Sequence, residues 1–134
     1  MPFRTLVRVR FGDVDRAQIV YYPRFFNYFH TAFEDFFTEQ GHEYRQVIDE
    51  VGVGFPIVHI ETDFHRALRF GDLFEIEVGA ERVGNTSATF RYLGRKNHEL
   101  IAEARITVVC VDMKTLRPVP IPEPYRALFE RNRI

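Results

Sequence analysis

The stretch Tyr22-Pro23-Arg24-Phe25-Phe26-Asn27-Tyr28-Phe29-His30-Thr31-Ala32-Phe33-Glu34-Asp35-Phe36-Phe37 decides the fold. Its phenylalanines at 25, 26, 29, 33, 36 and 37 recur at spacings of three and four, the period of an α-helix. Pro23 suits the first turn and Gly41 the stop. Tyr22, Tyr28 and Ala32 carry the apolar face further around than the stripe of a surface helix. Such a helix has to be wrapped on more than one side, and a curved sheet does that.

The flanking sequence supplies the sheet. Thr5 to Phe11 alternates, with Leu6 apart, so that Val7, Val9 and Phe11 share one face and Arg8 and Arg10 the other. A short, helical connection is expected from Glu43 to Val51. Four β-rich runs follow: Ile57 to Arg66, Phe74 to Val83, Thr86 to Lys96 and Ile101 to Val111. Phe70-Gly71-Asp72, Gly84-Asn85 and Lys96-Asn97-His98-Glu99 stand between them as turns, and the last three strands read as an antiparallel meander. The tail Pro118-Val119-Pro120-Ile121-Pro122-Glu123-Pro124 cannot donate regularly to a sheet and leads to a short amphipathic end, Tyr125 to Arg131. The expected fold class is therefore α+β: one long helix wrapped by a five- to six-stranded antiparallel sheet. The other sheet face and the strand edges are left for water or a partner, so a homodimer through a continuous sheet is expected; assembly of that dimer into a homotetramer is a further expectation, with dimer against tetramer left open.

Composition narrows the setting. With 134 residues, residues 1–134 are read as a single domain. Hydrophobic residues at 46% and charged residues at 28% are a globular balance, and no run reaches the ~18 apolar residues of a membrane span. The amino terminus, MPFRTLVRVRF, lacks the layout of a secretion signal. Cys110 is the lone cysteine, which excludes a disulfide framework and a cysteine-based metal site and points to a reducing, cytoplasmic compartment. Net charge is −1 with the two signs interleaved, which is not the footprint of a nucleic-acid binder.

Chemistry is sought where strand one meets the helix, Phe11-Gly12-Asp13-Val14-Asp15-Arg16-Ala17-Gln18-Ile19-Val20-Tyr21-Tyr22-Pro23. Two carboxylates enter a helix amino terminus whose first N–H groups have no intrahelical partner. A carboxylate that attacks or activates water, beside N–H dipoles that stabilise an oxyanion, makes up an acyl-transfer centre. The same residues equally suit ordinary turn and cap chemistry, and the residues alone leave both readings open.

The stretch GDVDRAQIVYYPRFFNYF resembles the signature of the 4-hydroxybenzoyl-CoA thioesterase-like family of hotdog-fold acyl-CoA thioesterases, in which G/A-D-x-D-x-x-G-x-V-x-Y precedes a helix. The likeness extends through Gly54-Phe55-Pro56-Ile57-Val58, the Phe70-Gly71-Asp72 turn and the later strands. It implies hydrolysis of an aromatic or short- to medium-chain acyl-CoA, coenzyme A being part of the substrate and no other cofactor being needed. It makes Asp15 the catalytic carboxylate, as nucleophile or general base, and Tyr22 the N–H donor to the thioester carbonyl, with Asp13 structural. It further sets Val20, Tyr21, His30, Pro56 and Ile57 against the acyl group, and Gly84, Asn85, Thr86 and Ser87 against coenzyme A.

Two departures bear on substrate. Gln18 stands where the pattern has glycine, and the 84–87 turn lacks the basic residues that hold the CoA phosphates in some members, with Arg82, Arg91, Arg95 and Lys96 as nearby substitutes. His30, in turn, reads either as a pocket imidazole among Tyr28, Phe26 and Phe33 or as a core histidine with a local partner. The ladder His59, Glu61, Asp63 and His65 looks like metal ligands, but side chains ~6.6 Å apart along one strand do not share an ion without bending; a polar face is expected and no metal. Two other functions stay open: a non-catalytic acyl-CoA-binding hotdog protein, and a hotdog hydratase or dehydratase with His30 as base.

Overall fold

A computed structural model describes residues 1–134. Strands β1 (Phe3–Arg8), β3 (Ile57–Phe64), β4 (Leu73–Val83), β5 (Ser87–Lys96) and β6 (Glu99–Val109) form one antiparallel sheet in the order β1-β4-β5-β6-β3. The expected meander is β4-β5-β6. Its second hairpin turns on Asn97 and His98, both at positive φ (49° and 68°), the pair of left-handed residues that a two-residue turn matched to strand twist requires. Two short strands, β2 (Val53–Gly54) and β7 (Val111–Asp112), pair separately.

Helix α1 (Arg24–Thr38) lies on one face of this sheet, as its period demands. Phe25, Phe29, Phe33, Phe36 and Phe37 are all buried, and the sheet meets them with rings of its own. Phe74 faces Phe25 at 5.7 Å between centroids, Tyr92 faces Phe29 at 5.2 Å, and Phe90 lies between Phe33 (5.3 Å) and Phe36 (5.7 Å). Tilted and edge-on pairs of this kind each add about 0.5–1.5 kcal/mol beyond area burial. The connection after α1 is helical as expected, α2 (Tyr44–Gln46) running into a π-turn at Val47–Val51.

Two expectations are corrected. Strand one begins and ends earlier: Val9 is buried and still hydrogen-bonded to the Gly71–Asp72 turn, but a 3-10 turn at Phe11–Asp13 swings Phe11 out, 76% exposed, where it meets the Phe70 ring. The Asp13 side chain closes that turn by accepting the Arg10 N–H, which takes Phe11 off the strand's inner face. The helix does not cover the sheet alone, because α3 (Glu123–Arg131) buries Tyr125, Leu128 and Phe129 in the same layer, with Phe129 4.9 Å from Phe90. The proline tail forms no strand, as expected, and only the N–H groups of Val119 and Ile121, between the prolines, donate, to the carbonyls of Cys110 and Asn85.

Candidate active site

The loop from Val14 to Val20 is closed by a bridge between those two residues and held to the body by the Val20 N–H on the Leu68 carbonyl (2.8 Å). Inside it Asp15 organises the chain. Its N–H donates to Ile19 O, its carbonyl accepts from Gln18 N–H, and its Oδ1 accepts from Ala17 N–H at 2.8 Å, a side chain mimicking a turn. Oδ2 is left without a protein partner on an exposed carboxylate. Gln18 takes φ +67°, so the conformation easy for glycine is tolerated rather than avoided.

Asp13 has different work. Its Oδ2 accepts from the Arg10 N–H (3.0 Å) and the Tyr28 hydroxyl (2.8 Å), and its carbonyl accepts from Tyr21 N–H (3.0 Å). These bonds fasten the loop to α1. Burial, and then the Asp13 carboxylate itself, raise the Tyr28 phenol well above its ordinary range, so it remains a donor.

At the entrance to α1 the N–H groups of Arg24, Phe25 and Phe26 are already engaged, by the carbonyls of Tyr21, Tyr22 and Pro23, and Pro23 has no N–H. The Tyr22 N–H has no acceptor in the protein, which makes it the free donor at the positive end of the helix. The rings of Tyr21 and Tyr22 are exposed and pack on each other at 5.4 Å, and Tyr22 also meets Phe64 at the end of β3 (6.4 Å).

A second feature lies along α1. A cavity of about 220 Å³ opens between the helix and β3, β5 and β6, and eight of its ten lining residues are hydrophobic. His30, Pro56 and Ile57 line it; Asp15, Val20, Tyr21 and Tyr22 do not. Val20 is buried beneath the loop. His30 stands at the cavity rim, about half exposed, with Nε2 2.8 Å from Glu34, and is no core histidine. Phe26 and Phe33, expected around His30, line the cavity too; Ile60, Tyr92 and Ile106 also line it and were not singled out from sequence, because nothing local distinguishes a residue bordering a void from one filling the core. Alternation along β3, with Ile60 on the helix side, was the available signal.

The 84–87 turn lies at the other end of the sheet. Gly84 N–H closes on Ser87 O, and the carbonyls of Gly84 and Asn85 accept from Arg126 at 2.9 and 3.0 Å. From Phe64, opposite Ala102, to Ile57, opposite Val108, is six residues of β6, or roughly 20 Å. Within one chain the turn and Asp15 are therefore far apart. The ladder on β3 divides into separate pairs, His59 with Glu61 at 3.5 Å and His65 with Glu103 at 2.9 Å. Burial pushes the Cys110 thiol up to about 11, so it is an inert core group at neutral pH.

This helix-on-sheet arrangement defines the hotdog class, and solved thioesterases share it. The structure of gentisyl-coenzyme A thioesterase BH1999 superposes with a TM-score of 0.87 at 30% identity, over 95% of this chain and 99% of that one. An aspartate-to-asparagine mutant of 4-hydroxybenzoyl CoA thioesterase, complexed with 4-hydroxybenzoyl CoA, gives 0.87 at 25% identity over 96% and 98%. The chain belongs to the thioesterase-like superfamily, whose family model matches residues 9–129. Among its relatives, the 1,4-dihydroxy-2-naphthoyl-CoA hydrolase of Synechococcus elongatus is 34% identical over 116 residues, 86% of this chain and 85% of that protein.

Proposed function

We propose that the protein is an acyl-CoA thioesterase acting on an aromatic or short- to medium-chain acyl group. The observation that carries this reading is the unengaged Tyr22 N–H at the helix entrance, following a loop whose Asp15 carboxylate has a free oxygen. The thioester carbonyl oxygen accepts from Tyr22 N–H, which stabilises the negative charge it gains as the carbonyl is attacked. Asp15 either attacks the carbonyl carbon to form an acyl anhydride that water then opens, or takes a proton from the attacking water. In both routes the C–S bond breaks, one water is consumed and the products are a carboxylic acid and the thiol; the water oxygen enters the product acid when water attacks the acyl carbon, and enters the Asp15 carboxylate, with an Asp15 oxygen leaving in the product, when the anhydride is opened at its aspartyl carbon. Single turnover in ¹⁸O-water distinguishes them: label in the Asp15 carboxylate marks the anhydride.

The apolar cavity beside His30, Pro56 and Ile57 suits the acyl group alone, being smaller than the ~300–1,000 Å³ of sites that enclose whole drug-sized ligands. Val20 and Tyr21 support the same end from the loop, and Gly84, Asn85, Thr86 and Ser87 meet coenzyme A. The separation of that turn from Asp15 by the length of β3, roughly 20 Å from Phe64 to Ile57, favours a homodimer. Edge strand β3 exposes Ile57, Val58, Ile60 and Phe64. Antiparallel pairing of β3 with a second copy brings the Ile57 end of one subunit toward the Phe64 end of the other, and so carries the partner's turn toward Asp15. Stacking two such dimers on their charged sheet faces gives a homotetramer. No helix is long and apolar enough to cross a membrane, and the lone buried cysteine fits a cytoplasmic setting.

Thiol release from a panel of aliphatic, phenylacetyl and hydroxybenzoyl CoA esters tests the reading: at least one ester is expected to turn over, with Asp15→Asn lowering kcat by orders of magnitude. Tight CoA-ester binding without turnover would instead identify a non-catalytic binder.

A further inference from the structure

Phe11 and Phe70 stand apart in a protein that puts most of its phenylalanines in the core. They are 76% and 61% exposed, and their rings meet edge to face at 5.6 Å. With Val14, Gln18 and Arg69 they wall an open cavity of about 350 Å³. Val14 and Gln18 belong to the same loop as Asp15, which does not itself line this cavity.

Arg69 lines it, and Arg10 and Arg16 are next in sequence to Phe11 and to Asp15. Arg10, Arg16 and Arg69 are exposed, and none is in an ion pair. Two nearby carboxylates are occupied elsewhere, Asp13 by Arg10 N–H and the Tyr28 hydroxyl, Asp72 by Arg69 N–H and by Lys96 at 3.1 Å, and Asp15, which keeps one oxygen free, pairs with none of the three arginines. The three guanidinium groups are therefore free for an anion. The 84–87 turn offers fewer free cations, because Arg126 is already committed to its carbonyls and Arg82, 3.5 Å from the Ser87 hydroxyl, is the one arginine left beside it.

We propose that the cavity between Phe11 and Phe70 holds the nucleotide end of the CoA thioester, with adenine against the two rings and the phosphates among Arg10, Arg16 and Arg69. The proposal rests on the acyl-CoA reading above and divides the substrate by chemistry. The nucleotide, aromatic and anionic, goes to rings and guanidinium forks, which stack on bases and match phosphate oxygens in pairs. The pantetheine amides, neutral and polar, go to the neutral 84–87 turn. The acyl group goes to the apolar cavity along α1.

The test compares an acyl-CoA with the same acyl group on N-acetylcysteamine, which has the thioester but no nucleotide. Phe70→Ala and Arg69→Gln are each expected to raise KM for the CoA ester on the order of ten-fold, with kcat for that ester and all constants for the short ester nearly unchanged. Adenosine 3′,5′-bisphosphate is expected to compete with the CoA ester in the wild type and to lose that potency in both variants. Arg69→Gln keeps a long polar side chain on an exposed position, so it reports even if Phe70→Ala disturbs the loop. Equal effects on both esters, or none on either, would overturn the proposal while leaving the thioesterase reading intact. Failure of the wild type to hydrolyse either ester would remove both.

Discussion

Asp13 and Asp15 sit two residues apart and do opposite jobs. Asp13 spends its carboxylate on an N–H and a buried hydroxyl, while Asp15 keeps one oxygen free. Tyr28→Phe leaves the Asp13 carboxylate without its hydroxyl donor and is expected to cost about 1–2 kcal/mol in chemical denaturation. Gln18→Gly relieves a left-handed residue and is expected to stabilise by about 0.5–1 kcal/mol on the same measurement. An unchanged or lower midpoint would mean that the glutamine carries a compensating contact. The sequence alone assigned Asp13 and Asp15 to a loop before a helix and left their roles open; the family likeness divided the roles. What no local pattern carried was Tyr28, fifteen residues on, as the Asp13 partner, because a buried hydroxyl finds its acceptor through the fold rather than through spacing.

Among the elements, α1 was legible nearly residue by residue because its period is set by a face that has to be buried. The β4-β5-β6 meander was legible because its turns carry residues tolerant of positive φ. Strand one was misjudged beyond Val9 because alternation continues on paper through Phe11, and only the Asp13 bond to Arg10 N–H ends it. Gly94 on β5 marks how tightly α1 and the sheet are pressed together. A Cβ there would run into the Phe74 ring, which is itself packed on Phe25, Tyr28 and Phe29. Gly94→Ala is therefore expected to destabilise by about 1–3 kcal/mol, read as a lower melting temperature. A neutral result would show that Phe74 has room to turn.

At the scale of the whole molecule, the exposed apolar side chains of β3 are the surface of the proposed dimer and the buried phenols set an alkaline limit. Ile60→Lys puts a charge on the edge strand and is expected to shift the protein to monomer in sedimentation, with activity falling alongside; a wild type that is monomeric at every concentration would contradict the dimer. Tyr28, Tyr44 and Tyr92 are all raised above their ordinary pKa, chiefly by burial, Tyr44 to about 12. A folded pKa above the unfolded one gives stability that is whole below about pH 10 and lost as pH climbs through the folded values, so the denaturation midpoint is expected to hold from pH 7 to 9 and to fall above 10. The central claim, that the Asp15 carboxylate and the α1 entrance together cleave a thioester, is tested most directly by kcat for thiol release from the best acyl-CoA in wild type and Asp15→Asn, at matched melting temperature. The account predicts a fall of orders of magnitude in the variant with the fold intact; equal turnover by the two proteins would contradict it.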